Sequence, residues 1–161
     1  MLQDSDLTPL ERALCSTAAA GRLLDSRCRR SDEDDPARGR AWGKGRQSRA
    51  QVLRQLLTGE GCLDKTFGKP LAVWLRGASV IGRLNLGGRT VRCPLELYGC
   101  YLGDRLDLAK AEASDISLRA VTLRSGCPSV GCGCGCHPRI ADPRGKRRMK
   151  GSGVGVTPEQ I

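Results

Sequence analysis

Leucines recur at positions 75, 86, 97, 108 and 118, spaced 11, 11, 11 and 10 residues apart. Two further series keep the same register. Leu84, Leu95, Leu106 and Ile116 lie two residues before the last four leucines, and Val80, Val91, Leu102, Ala113 and Leu123 lie five residues after each. An 11-residue period is also compatible with a right-handed supercoil of helices. The L-x-L triplets argue against that, because alternation in and out belongs to a strand. Gly77, Gly82, Gly87, Gly88, Gly99, Gly103 and Pro94 argue the same way, each being costly inside a helix. Short strands alternating with glycine-bearing turns at a fixed interval predict a β-solenoid, in which each rung buries its apolar side chains by stacking on the next.

The N-terminal third has a different pattern. Thr8-Pro9-Leu10-Glu11 is a capping box with proline at the first helical position, and it predicts a helix over 8–24. Asp32-Glu33-Asp34-Asp35-Pro36 followed by Gly39, Gly43 and Gly45 predicts a solvated loop over 25–47. A second helix is predicted over 48–58. Ser48 and Gln51 open it, Val52, Leu53, Leu56 and Leu57 form its apolar stripe, and Gly59 closes it. A glycine-punctuated connector follows over 59–70. The expected fold class is therefore α+β: two N-terminal helices (1–70) capping a short right-handed β-helix (71–125), then a disordered tail (126–161). Two or three coils and an uncapped far end predict marginal stability and a tendency to aggregate.

Apolar anchors about every five residues resemble those of the pentapeptide-repeat proteins, which are right-handed quadrilateral β-helices. Arg83-Leu84-Asn85-Leu86-Gly87 and Arg105-Leu106-Asp107-Leu108-Ala109 come nearest to that family's wording. Several segments are similar to the N-terminal part of a group of actinobacterial β-helical repeat proteins. They are Leu7 to Leu14, Trp42-Gly43, Arg49 to Leu57, Leu75-Arg76-Gly77-Ala78 and Cys93-Pro94-Leu95-Glu96-Leu97. The resemblance spans residues 5–125. It implies a β-helix, and it implies the activity members are often labelled with, that of an oxidoreductase or membrane-associated oxidoreductase. It also implies that this chain is an N-terminal piece of a longer repeat protein.

After Leu123 the period stops. Residues 126–161 contain no leucine and are dominated by glycine, cysteine, arginine and proline. The expectation is a stretch unrelated to the fold, such as a frame-shifted end, with no stable strands. It holds the densest basic cluster, Arg144 to Lys150, which would attract nucleic acid only weakly, by counterion release. It also holds Cys127, Cys132, Cys134, Cys136 and His137, the single histidine. Thiolates and an imidazole are good ligands for zinc, although C-x-C-x-C is closer to a soft-metal thiolate cluster than to a zinc finger. The other five cysteines stand where a small apolar residue would serve equally well. The N-terminus lacks a secretory apolar segment, which predicts a reducing, cytoplasmic setting without disulfides.

Catalytic constellations are missing from the pattern. The G-x-G-x-G runs at 131–135 and 151–155 lack the spacing and the strand–helix context of a dinucleotide site. There is no C-x-x-C pair, and a lone histidine has no partner for triad chemistry. Asp104 and Asp107 are expected to be solvating. Aromatics amount to 3% of the chain, too few for a stacking platform for nucleic acid, and the longest apolar run, Leu71 to Leu75, is far too short to span a membrane. The net charge of +10 leaves +3 on residues 73–126, including Arg76, Arg83, Arg89, Arg92, Arg105 and Arg119, a surface suited to an acidic partner. The expected function is a non-enzymatic structural or protein-interaction scaffold with an unspecified protein partner, no catalytic residue and no cofactor. The alternatives are the oxidoreductase or membrane-associated role that the resemblance implies, and a metal- or nucleic-acid-binding tail.

Overall fold

The computed structural model describes residues 2–61, 63–124 and 139–141. The first α-helix, α1 (Pro9–Ala19), starts where its capping box predicts. Thr8 Oγ1 accepts from the Glu11 amide at 3.2 Å, and Glu11 Oε2 accepts from the Thr8 amide at 2.9 Å. Leu10, Leu14, Cys15 and Ala18 are its buried face. The helix is shorter than expected. Gly21 turns the chain at φ +63°, and Leu23–Asp25 leaves as strand β1. A 3-10 helix at Pro36–Ala41 and strand β2 (Gln47–Arg49) precede the second helix, α2 (Ala50–Thr58). Ser48 is therefore not a cap but a buried strand residue, and Arg49 occupies the cap position. Gly59 does close α2, in the left-handed region at φ 71° with its amide donating to Gln55 O. The expected connector contains a third short helix, α3 (Leu63–Phe67).

Strands then follow in quick succession, each two to four residues long: β3 (Val73–Arg76), β4 (Ser79–Ile81), β5 (Leu84–Asn85), β6 (Thr90–Val91), β7 (Leu95–Tyr98), β8 (Tyr101–Leu102), β9 (Leu106–Asp107), β10 (Glu112–Ala113), β11 (Ile116–Arg119), β12 (Thr122–Leu123) and β13 (Arg139–Ala141). All their pairings are parallel. They form four separate sheets, with strand orders β1-β3-β7-β11-β13, β2-β4-β8-β12, β5-β9 and β6-β10. Leu24, Leu75, Leu97, Leu118 and Ile140 are successive register partners across the largest.

The helix-capped right-handed β-helix is thus corrected. The described residues form no clear single coil. They form helices interleaved with short parallel strands in small, separate sheets. Two physical reasons stand out. The strands are cut short by corners in the left-handed region, Gly77 after β3 at φ +68° and Gly99 after β7 at φ +57°, so neighbouring sheets do not merge. And the N-terminal segment does not sit outside as a cap. It supplies β1 and β2 to two of the sheets. Leu10 and Leu14 of α1 and Val52, Leu53, Leu56 and Leu57 of α2 belong to the same buried cluster as Val73, Leu75, Leu86, Leu97 and Leu108. The disordered tail is corrected in its described part as well, since Arg139–Ala141 is a strand paired with β11.

Two polar tethers join the N-terminal segment to the sheets. Glu11, fully buried, holds the β2–α2 junction. Its Oε1 accepts from the Arg49 amide (2.8 Å) and Nε (3.0 Å), and its Oε2 from Arg49 Nη2 (2.7 Å). Arg46 pins one carboxylate of the acidic run, Asp34, while Asp32, Glu33 and Asp35 are exposed as expected. It lies 3.8 Å over the Trp42 ring and pairs with Asp34 at 3.0 Å, and its Nε and Nη2 donate to Gly77 O at 2.9 and 2.7 Å.

Candidate interaction surface

Strand alternation decides which side chains the five-stranded sheet presents outward. In β3, Val73 and Leu75 are buried and Trp74 is exposed. In β7, Leu95 and Leu97 are buried and Tyr98 is exposed. In β11, Ile116 and Leu118 are buried and Arg119 is exposed. Parallel pairing then lines the outward positions up in two rows. One row is Leu23, Trp74, Glu96 and Ser117, and the other is Asp25, Arg76, Tyr98 and Arg119. Rungs of a sheet are about 4.8 Å apart, so each row is a straight, closely spaced track. Leu71, just before β3, is a further exposed apolar residue. It is 65% exposed and packs beside Gly21.

The electrostatics of this face are uneven. Asp25 is paired with Arg27 at 2.8 Å. That hydrogen-bonded guanidinium holds the Asp25 carboxyl below its ordinary value. Glu96 lies 4.0 Å from Arg119. Arg76 differs. Its guanidinium stacks on Tyr98 at 4.2 Å from the ring centroid, it has no ion pair among the described residues, and its Nε is buried without a hydrogen-bond partner. The arrangement offers a cation held in place by an aromatic ring, beside exposed apolar surface.

The other candidate residues are elsewhere. Cys127, Cys132, Cys134, Cys136 and His137, the glycine runs and the basic cluster at 144–150 all lie outside the described residues. Among the described residues no group of three or more His, Cys, Asp or Glu is placed to hold a metal ion. Asp107 is half-buried at the end of β9. Its Oδ1 accepts from the Ala109 amide at 3.1 Å and its Oδ2 pairs with Arg83 at 3.0 Å, and these contacts, the amide first, keep its carboxyl below the ordinary value. Asp104 accepts from the Arg105 amide. Cys15, Cys93 and Cys100 are buried, and burial pushes the Cys15 thiol up to about 12 and the Cys100 thiol to about 11. Cys28 is exposed instead, its thiol donating to Glu33 and Asp34 carboxylates.

The arginines taken together in the sequence are parted by the fold. Arg76 and Arg119 share the large sheet, Arg83 reaches Asp107 on another, and Arg89 pairs with Glu60. Trp74 and Tyr98 were not singled out in the sequence. The available signal was parity: each occupies an outward position beside an inward leucine. No described helix is long and apolar enough to cross a membrane. Comparison with protein-family models, with curated proteins and with solved structures finds no match for this chain.

Proposed function

We propose that the chain is a non-enzymatic protein-interaction module that docks an acidic partner segment on the outer face of the five-stranded sheet. The observation that carries this reading is Arg76, stacked on Tyr98 and making no ion pair with a described residue, its cross-strand neighbour Asp25 being paired with Arg27 instead, on the face that exposes Trp74 and Leu23. Tryptophan, tyrosine and arginine are the residue types that dominate binding energy at protein interfaces. Arg76 is also pre-ordered by its ring contact, so a partner carboxylate meets a guanidinium that has little rotamer freedom left to lose.

The test is selection from a random twelve-residue peptide library on the full-length protein, followed by fluorescence anisotropy with the recovered peptides. Binders should be rich in Asp and Glu next to an aromatic or aliphatic residue. Arg76→Ala and Trp74→Ala should each weaken them by about tenfold or more, while Arg83→Ala leaves them unchanged. Binders without acidic enrichment, or binders indifferent to Arg76→Ala, would overturn the reading.

A further inference from the structure

A second feature lies on the sheet β2-β4-β8-β12, away from the docking face. The 3-10 helix Pro36–Ala41 comes unusually close to β8, because Gly39 is buried where any Cβ would overlap the Tyr101 side chain. That close approach sets the next residue, Arg40, at one rim of a groove of about 310 Å³. Arg124 lines the same groove, held at the end of β12 by its amide donating to Leu102 O at 3.1 Å. Gln47 and Ser79, register partners on β2 and β4, also line the groove, and Asp104 joins them from the turn after β8.

The charges in this groove do not satisfy one another. Neither Arg40 nor Arg124 makes an ion pair with a described residue, and Asp104, which lines the same groove, makes none either. Two arginines lining one groove suit an oxyanion, which each guanidinium can grip with paired N–H donors. A carboxylate, a hydroxyl and an amide oxygen suit the hydroxyls of the same ligand. Asp104 is an acceptor that a hydroxyl can satisfy. Gln47 keeps its Oε1 for the same purpose, its Nε2 already donating to Trp42 O at 2.7 Å. The volume stands at the small end of ligand cavities, which limits the occupant to a compact molecule.

We infer that this groove is a binding site for a small hydroxylated phosphate monoester, with Arg40 and Arg124 on the phosphate and Asp104 with Gln47 on the hydroxyls. The site is independent of the docking face.

Isothermal titration of the full chain with glycerol 3-phosphate and with inorganic phosphate tests it. Saturable binding of glycerol 3-phosphate is expected at concentrations below about 10 mM, tighter than that of inorganic phosphate. Arg40→Lys and Arg124→Lys keep the charge but lose the paired donors, so each should weaken glycerol 3-phosphate by about tenfold. Asp104→Asn should reverse the preference. It removes a repulsive charge from the bare anion and weakens the grip on the hydroxyls. Arg83→Lys, on a different sheet, should change nothing. Circular dichroism melting of each variant separates lost binding from lost folding. The inference is overturned by any one of three results: no saturable binding of either probe, equal affinity for the two, or unchanged affinity in the folded Arg40→Lys/Arg124→Lys double variant.

Discussion

Replacing Glu11 with alanine removes the tether between α1 and the β2–α2 junction, and its cost can be worked from the contacts. The Glu11 side chain is 1% exposed, whereas that of Arg49 is 37% exposed. Four donors lose their acceptor: the Thr8 amide, the Arg49 amide, and the Arg49 Nε and Nη2 groups. Breaking a fully buried pair from one side costs about 3–5 kcal/mol. Here Arg49 Nη2 keeps a second acceptor in Asp6 O at 2.7 Å, and the rest of the guanidinium reaches water. The two orphaned amides, at about 1 kcal/mol each or somewhat more, then dominate, and the expected loss is about 2–4 kcal/mol. For a chain of this size that lowers the melting temperature by roughly 5–12 °C. Glu11→Gln should cost nearly as much, because its amide nitrogen would face donors. The pH dependence gives an independent check. Burial alone would raise the Glu11 carboxyl, but the hydrogen bonds from the Arg49 side chain and amide and from the Thr8 amide outweigh it, and the net value lies below the ordinary 4.5. A carboxyl lowered in the folded state contributes stability that is present above its ordinary value and is lost as the pH falls below 4.5 through the folded value. Urea melts followed by circular dichroism between neutral and acid pH should therefore show the gap between wild type and Glu11→Gln closing as the pH drops. A Glu11→Ala variant within about 0.5 kcal/mol of wild type, or a gap that does not change with pH, would refute the argument.

Three further outcomes follow from the same geometry. Ala120 stands at the corner after β11 at φ +50°, where the equivalent corners after β3 and β7 have Gly77 and Gly99, so Ala120→Gly should raise stability by about 0.5–1 kcal/mol in a denaturant titration, and a loss would contradict the corner assignment. Leu97 is fully buried at the middle of the leucine row, so Leu97→Ala should cost about 2–5 kcal/mol, with a cost under 1 kcal/mol arguing that the row is not packed. In native-state alkylation mapped by mass spectrometry at mildly alkaline pH, Cys28 should label well before Cys15 and Cys100, whose thiols are buried and pushed up to about 12 and about 11; equal rates would show that the core opens readily.

Different parts of this molecule were legible to different degrees. The inward leucines were readable because a side chain that must leave water marks its position by type: Leu75, Leu86, Leu97, Leu108 and Leu118 are all at most 3% exposed. The start of α1 was readable because Thr8 and Glu11 satisfy each other within four residues, and so was the end of α2, because only glycine adopts the left-handed corner cheaply. The strand roles of Leu23–Asp25 and Gln47–Arg49 were not. Each is three residues long and finds its partner some thirty to fifty residues away. Nor was the pairing of Asp34 with Arg46, since nothing in a run of carboxylates says which of them a distant guanidinium will reach. The docking face was half legible, as parity placed Trp74 and Tyr98 outward but could not bring Arg76 over the ring. The groove was not legible at all, for Arg40, Gln47, Ser79, Asp104 and Arg124 are scattered over most of the chain.

By itself the sequence determined which side chains go inside, because hydrophobicity belongs to each residue and its period survives any choice of topology. Only the tertiary structure decided that the rungs divide into four small sheets with helices among them, rather than winding as one coil. The backbone groups that pair strands are the same at nearly every residue, so they specify no partner until packing and the corners at Gly77, Gly99 and Ala120 have set where each strand stops.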